Sequence, residues 1–191
     1  MKAFYLILLL PPLFLFSFEE KIEEEICVSS EEMKLYQLIN TYRKSKGLDK
    51  IPLSSKLTKV AQVHSQDLAD YYDFEKAETC NLHSWSEQGE WESCCYTSDH
   101  TKASCMWNKP GEIAGYSGNG YEISFYQSNG ANAETGLETW QNSKSHHEVI
   151  INRGIWKNIK WNAIGIGIRG GFATVWFGEE KDPSKTAKIC E

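Results

Sequence analysis

Apolar residues recur along this chain with two periods. Leu35, Leu38, Ile39 and Tyr42 fall at i, i+3, i+4 and i+7, the spacing of one helix face. Ser29-Ser30-Glu31-Glu32 ahead of them has the S-x-x-E spacing of a capping box. Together they predict a helix over about 30–46, closed by Gly47. A second helix starts at Pro52-Leu53-Ser54-Ser55 and turns Leu57, Val60, Ala61, His64 and Leu68 inward. For His64 a hydrogen-bonded core histidine is a simpler reading than a functional one. A third helix runs from about Ala133 to Asn142, with Leu137 and Trp140 inward. The period then changes. Ile164-Gly165-Ile166-Gly167-Ile168 alternates like a strand, Arg169-Gly170-Gly171 turns, and Phe172 to Phe177 returns, predicting a central antiparallel hairpin. Residues 73–133 hold four cysteines and little periodicity; they read as loops pinned by disulfides, with a short strand near 121–126. No internal repeat is visible. Helices first, then loops, a helix and a hairpin, suggest an α+β layered domain.

The N-terminus sets the compartment. Behind Lys2, residues 3–18 are almost wholly apolar, and the acidic run 19–25 follows. This stretch is shorter than the roughly 17–25 residues of a membrane span. Residues 1–17 read as a secretory signal peptide, with an uncleaved anchor as the alternative. No cysteine directly follows the run, which argues against a lipoprotein, and no later window approaches the length of a span. The chain therefore divides into a leader (1–17), an acidic segment (18–29), one domain (30–180) and a polar tail (181–191) tied down by Cys190, and it reads as secreted.

Six cysteines, Cys27, Cys80, Cys94, Cys95, Cys105 and Cys190, lie after the leader. An even number in an exported chain reads as disulfides, with about 15 connectivities open. Neighbouring Cys94 and Cys95 are expected to bond to different partners. Cys27 and Cys190 bracket the domain and suggest a terminal clasp, whose long loop corresponds to about 4 kcal/mol or more of stabilisation. Zinc is the competing reading for the 80–105 cluster, and the lack of any CxxC pair argues against it. Without the leader the chain keeps 19 basic residues against 26 acidic ones. That balance argues against nucleic acid and against adhesion to anionic membranes. Seven tryptophans in a chain that is 13% aromatic can build a core or line a groove for apolar or sugar ligands.

Several sequence pieces, taken in order, resemble a known family. Leu38-Ile39-Asn40-Thr41-Tyr42-Arg43 with Gly47-Leu48 and Pro52-Leu53 comes first, then Ala61-x2-His64-Ser65-x2-Leu68-Ala69. His83-Ser84, Gly111-Glu112-x-Ala114 and Trp140-x2-Ser143-x2-His146 follow. Together they are similar to the CAP superfamily of cysteine-rich secretory proteins, antigen 5 and pathogenesis-related 1 proteins (SCP-like), in its shorter, microbial-type pattern. The resemblance covers about 30–180. It implies a disulfide-stabilised α-β-α sandwich with a central antiparallel sheet.

The resemblance also implies a large cavity holding two histidines and a glutamate: His83, Glu112 and His146. His147, one residue on, should point away, because one residue turns a helical side chain by about 100°. The chain departs from the family pattern twice. Gly-Glu-Ile-Ala stands where Gly-Glu-Asn-Ile is usual, and Ser143 stands where a second glutamate is usual.

Two neutral imidazoles, His83 and His146, with a carboxylate can hold a divalent metal such as zinc, with a position open for water or ligand. Without a metal, Glu112 could orient one imidazole as a general base. The plainest alternative is a polar cluster that braces the cavity. Ser84 beside His83 invites a serine-hydrolase reading, but there is no Gly-x-Ser-x-Gly elbow. Two function classes follow. One is a non-catalytic extracellular module that binds a lipid, a sterol or a protein partner, with the Tyr/Gly/Asn-rich segment 115–132 as a candidate rim. The other is a metal-dependent hydrolase, a peptidase or cell-wall enzyme. The missing second glutamate leans against catalysis.

Overall fold

The computed structural model describes residues 26–184 and 187–190. The expected leader and most of the acidic segment lie outside the described residues. Helix α1 (Ser30–Ser45) begins with the expected capping box: Glu32 N–H donates to the Ser29 hydroxyl at 3.2 Å, and Ser29 N–H donates to the Glu32 carboxylate at 2.7 Å. Helix α2 (Ser55–Tyr71) is capped by Ser54, whose hydroxyl accepts from Leu57 N–H. Helix α3 spans Ala103–Ala114, strand β2 Gly120–Tyr126, α4 Ala133–Asn142 and α5 Lys144–Ile150. The hairpin is β3 (Ala163–Arg169) and β4 (Phe172–Gly178).

Within 73–133 the expected short strand is present as β2, and helix α3 corrects the reading of the rest as loops. Its buried positions, Met106, Lys109 and Pro110, do follow helical spacing. The inward member Lys109 reads as polar in sequence, and Pro110 and Gly111 read as breakers, so the period is hidden. The sheet adds a second correction. Its order is β2-β4-β3, antiparallel throughout, so β4 is central and β3 forms an outer strand.

Alternation along each strand sends its residues to two faces. Ile164, Ile166, Ala173, Val175, Phe177, Ile123 and Phe125 join a core with Leu35, Ile39, Leu137, Trp140 and Ile150 from α1, α4 and α5. The opposite face meets α2 and α3, where Leu57, Val60, Ala61, Met106 and Trp176 form a second core. Gly165 and Gly167 face α2. A Cβ on either would collide with backbone atoms of Leu57 or Ala61, so the Ile-Gly-Ile-Gly alternation lets the helix lie directly on the strand. The result is an α-β-α sandwich.

Cys27 pairs with Cys190, and the short strands Cys27–Val28 (β1) and Lys188–Ile189 (β5) run parallel beside that clasp. Cys80 pairs with Cys95, and Cys94 with Cys105. The adjacent cysteines therefore do go to different partners, and all six are oxidised.

Candidate functional site

The polar centre of the second face is Glu122 on β2. It alternates with Tyr121 and Ile123 and so points toward α2, whereas Ile123 enters the other core. One oxygen, Oε1, accepts from His64 Nδ1 at 2.5 Å, and the other, Oε2, accepts from His83 Nδ1 at 2.7 Å. The Glu122 side chain is wholly buried. Burial alone would favour its neutral form, but attraction and hydrogen bonds from the two histidines outweigh it and hold the carboxyl at about 2, below its ordinary 4.5.

His64 is also wholly buried. Its Nε2 lies 2.9 Å from the Ser84 carbonyl oxygen. Both ring nitrogens thus face acceptors, and with Glu122 ionised both must donate, which requires the imidazolium form. The ring stacks on Trp85 with centroids 4.0 Å apart and planes 8° from parallel, a geometry that suits a cation on an indole face. On the same ring system, Lys109 Nζ lies 5.5 Å from the Trp85 centroid.

His83 reaches the site from a short loop between Cys80 and Cys94-Cys95. The Cys80–Cys95 disulfide closes that loop, and Trp85 and Cys94 exchange backbone hydrogen bonds at 2.8 and 3.0 Å. The Asn81 side chain accepts from His83 N–H in an Asx turn. Glu122 fixes the proton of His83 on Nδ1, and Nε2 has no partner among the described residues. The ring keeps 17% of its side-chain exposure. His146 is the third residue of α5. Its Nδ1 lies 2.9 Å from the hydroxyl of Ser143, the residue that joins α4 to α5. Burial first, and the nearby His83 second, depress its proton affinity, while Glu122 acts the other way. His146 is thus within electrostatic reach of His83 and Glu122, while its hydrogen-bond partner is Ser143. The end of α5 is pinned by buried Arg43, which donates to the Ile150 carbonyl and to Asn152 Oδ1.

The carboxylate expected at Glu112 is supplied instead by Glu122. Glu112 sits in the last turn of α3, where it accepts from Lys109 Nζ at 2.6 Å and from Glu92 N–H. The i, i+3 spacing places it beside Lys109, and neither His83 nor His146 is among its hydrogen-bond partners. The signal missed in sequence was the alternation of Tyr121-Glu122-Ile123-Ser124-Phe125, which puts an acid on a sheet face opposite the inward His64. His147 points away from the cluster, its Nε2 2.8 Å from the Tyr42 hydroxyl. The Ser84 hydroxyl accepts from Tyr96 N–H at 2.9 Å, and among the described residues no histidine is a hydrogen-bond partner of that hydroxyl, an arrangement that does not favour the serine-hydrolase reading.

Among the described residues no group of three or more His, Cys, Asp or Glu side chains converges on a point that could hold a metal. The nitrogens a metal could use are Nε2 of His83 and Nε2 of His146; the carboxylate behind His83 is of the kind that orients a metal-ligating imidazole. Beside the cluster, and sharing its Ser84-Trp85 loop, opens a cleft of about 420 Å³ whose lining is mixed, with Leu68, Tyr72 and Trp85 beside Asp67, Asp73 and Lys76. His83, Glu122 and His146 do not line it, so cleft and cluster are neighbours rather than one cavity. No helix among the described residues is long and apolar enough to cross a membrane.

The chain matches the cysteine-rich secretory protein family (CAP) over residues 36–157 and belongs to it. No curated protein matches it. Among solved structures it is similar to an outer surface protein of Borrelia burgdorferi, at 20% identity and a TM-score of 0.54, over 82% of this chain and 98% of that one. It is also similar to an extracellular protein of Bacillus anthracis that contains an SCP domain (19% identity, TM-score 0.54) and to a cysteine-rich secretory protein of Staphylococcus aureus (17%, 0.50). For these two the match covers 78% of this chain but only 40% and 38% of theirs. At such identities the likeness establishes the shared fold.

Proposed function

We propose that this CAP-family chain is a secreted, non-catalytic binding module that takes a lipid, a sterol or an extracellular protein partner beside His83 and His146. One observation carries the reading. Both oxygens of Glu122 and both nitrogens of His64 are consumed in hydrogen bonds within the cluster. The buried carboxylate is occupied in holding the two rings and reaches no solvent; it orients His83, and the Ser84 hydroxyl on that loop is turned to Tyr96 N–H and not to the free Nε2 of His83. What remains available is Nε2 of His83 and of His146, with a cleft of mixed lining, Leu68, Tyr72 and Trp85 among Asp67, Asp73 and Lys76, on the other side of the Ser84-Trp85 loop. Such a surface can recognise a polar group attached to an apolar body. Extracellular and surface proteins among the structural relatives, and the three disulfides, support export.

A second reading, a metal-dependent hydrolase, has one observation in its favour: the two free Nε2 atoms could hold a zinc ion, which would supply an activated water. Native mass spectrometry of the secreted protein equilibrated with a lipid extract, with and without chelator, separates the two. A lipid or sterol adduct that survives chelation and weakens in His83→Ala supports the binding module. Peptide or cell-wall cleavage that chelator abolishes, with no adduct, overturns it.

A further inference from the structure

The whole-chain charge of −6 hides an uneven distribution. From Val149 to Gly178 there is no acidic residue, while Arg153, Lys157 and Lys160 crowd the segment Arg153-Gly154-Ile155-Trp156-Lys157-Asn158-Ile159-Lys160. All three are exposed, and none has a side-chain partner among the described residues. At the tip of this basic segment Ile155 is 83% exposed, the most exposed large apolar side chain described. Behind it a row of rings leads inward. Trp107, 39% exposed, lies 6.4 Å from Tyr121; Tyr121 lies 5.1 Å from Trp156; and Trp156 lies 5.5 Å from buried Trp161.

The tip is a fixed knuckle. A 3-10 turn over Gly154–Trp156 carries it. Arg153 N–H donates to the Glu148 carbonyl, and Asn152 Nδ2 donates to the Ile159 carbonyl. Gly154 has φ +58°, and a side chain there would run into the Glu148 carboxylate. Glu148 and Glu179, near Tyr121, are the acids adjoining the patch.

We infer that this knuckle docks the protein on an anionic lipid bilayer, with Ile155 entering the headgroup–acyl boundary, Trp156 and Trp107 at the interface, and Arg153, Lys157 and Lys160 over the headgroups. Charge complementarity selects the anionic surface. The tip selects the bilayer: an aliphatic side chain offers nothing to a glycan or a nucleic acid. The exposed apolar area is one residue wide, well short of the roughly 800 Å² per partner of a stable protein interface. A bilayer asks for less, because tip insertion adds to the pull of each nearby cation. Aromatic side chains with an apolar body and a polar edge suit the boundary.

Co-sedimentation of the secreted chain with vesicles tests this. The protein should pellet with phosphatidylcholine vesicles containing phosphatidylglycerol and not with phosphatidylcholine alone. Raising the salt to about 0.5 M should release it, since screening then acts within a few ångströms. Lys157→Ala and Lys160→Ala should each lower the partition coefficient about fivefold, the equivalent of about 1 kcal/mol per charge. Ile155→Asp should abolish pelleting with an unchanged melting curve, and Lys44→Ala, a control on α1, should bind like the parent. Failure to bind anionic vesicles overturns the inference, as does unaltered binding by Ile155→Asp. Capture of an acidic protein through the knuckle without vesicle binding also overturns it, and makes the knuckle a protein-docking site.

Discussion

Glu122 and Ile123 are neighbours on one strand and enter opposite surroundings. Toward α1, α4 and α5 the sheet presents Ile123, Ile166 and Val175 to an apolar core. Toward α2 and α3 the same strands present Glu122, Gly167 and Thr174. The first face is held by area and shape. The second buries an imidazolium, a carboxylate and the ammonium of Lys109, and it approaches its helix so closely that two strand positions have no side chain. A face built for stability alone would resemble the first, because a buried ion pair is often no better than well-packed apolar residues of the same volume. The polar face is thus where function is to be sought, and each of the following experiments presses on that difference.

The largest effect should come from Glu122→Ala, which takes from the rings of buried His64 and half-buried His83 their shared acceptor and should cost about 3–5 kcal/mol in denaturant unfolding. Ile123→Ala should cost about 2–5 kcal/mol for a different reason, the cavity it leaves. The two part company on repair. Replacing both charged partners, His64→Leu with Glu122→Met, should recover most of the Glu122→Ala loss and still abolish ligand retention. If the double change is as unstable as Glu122→Ala alone, the ion pair is a stabilising device and the contrast between the faces collapses.

Acid should single out the polar face next. Glu122 binds protons less readily in the folded state, at about 2, than at its ordinary 4.5. Between those values the unfolded chain takes up more protons. The contribution of Glu122, of order 3 kcal/mol, is therefore complete above about pH 4.5 and disappears as pH falls toward 2. Urea melts across that range should show the loss in the parent and a flatter profile in Glu122→Gln.

Gly167→Ala probes the close approach of α2. Its new Cβ meets the Ala61 backbone, which cannot move aside as a side chain would, and the cost should be about 1–3 kcal/mol. A neutral result would mean that the helix is free to lift from the strand.

The smallest effects on stability, about 1 kcal/mol or less, belong to His146→Ala and His147→Ala, and their contrast is sharp elsewhere. If zinc raises the parent's melting temperature at pH 7.5 and does so less at pH 5, His146→Ala should lose the response. His147→Ala, which gives up only the Tyr42 contact, should keep it. The reverse outcome would put the site one residue along α5.

Local signals carried much of this fold. The capping box at Ser29 and Glu32, the inward stripe of α2 and the Ile-Gly alternation of β3 are readable because each depends on neighbours within a few residues, where helix and strand geometry fix which side chains share a face. The family motifs pointed to His83 and His146 in the same way. Helix α3 was not legible, since its period runs through Lys109 and Pro110, and a lysine faces inward only when Glu112 and the Glu92 carbonyl are there to receive it. Nor was the identity of the acid. Strand alternation puts Glu122 on one sheet face and i, i+3 spacing puts Glu112 beside Lys109, but neither local signal says which acid meets the inward histidine. The choice is made by strand β2, which turns Glu122 to the sheet face that α2 also covers and so brings it to His64, 58 residues away in the chain. That placement opposes one acid to two imidazoles and leaves the other to a lysine on its own helix. Sequence alone determined α1, α2, α4, the hairpin and the inward histidine; which charge neutralises that histidine was decided by packing, because a buried polar ring demands a partner from whatever element the fold brings against it.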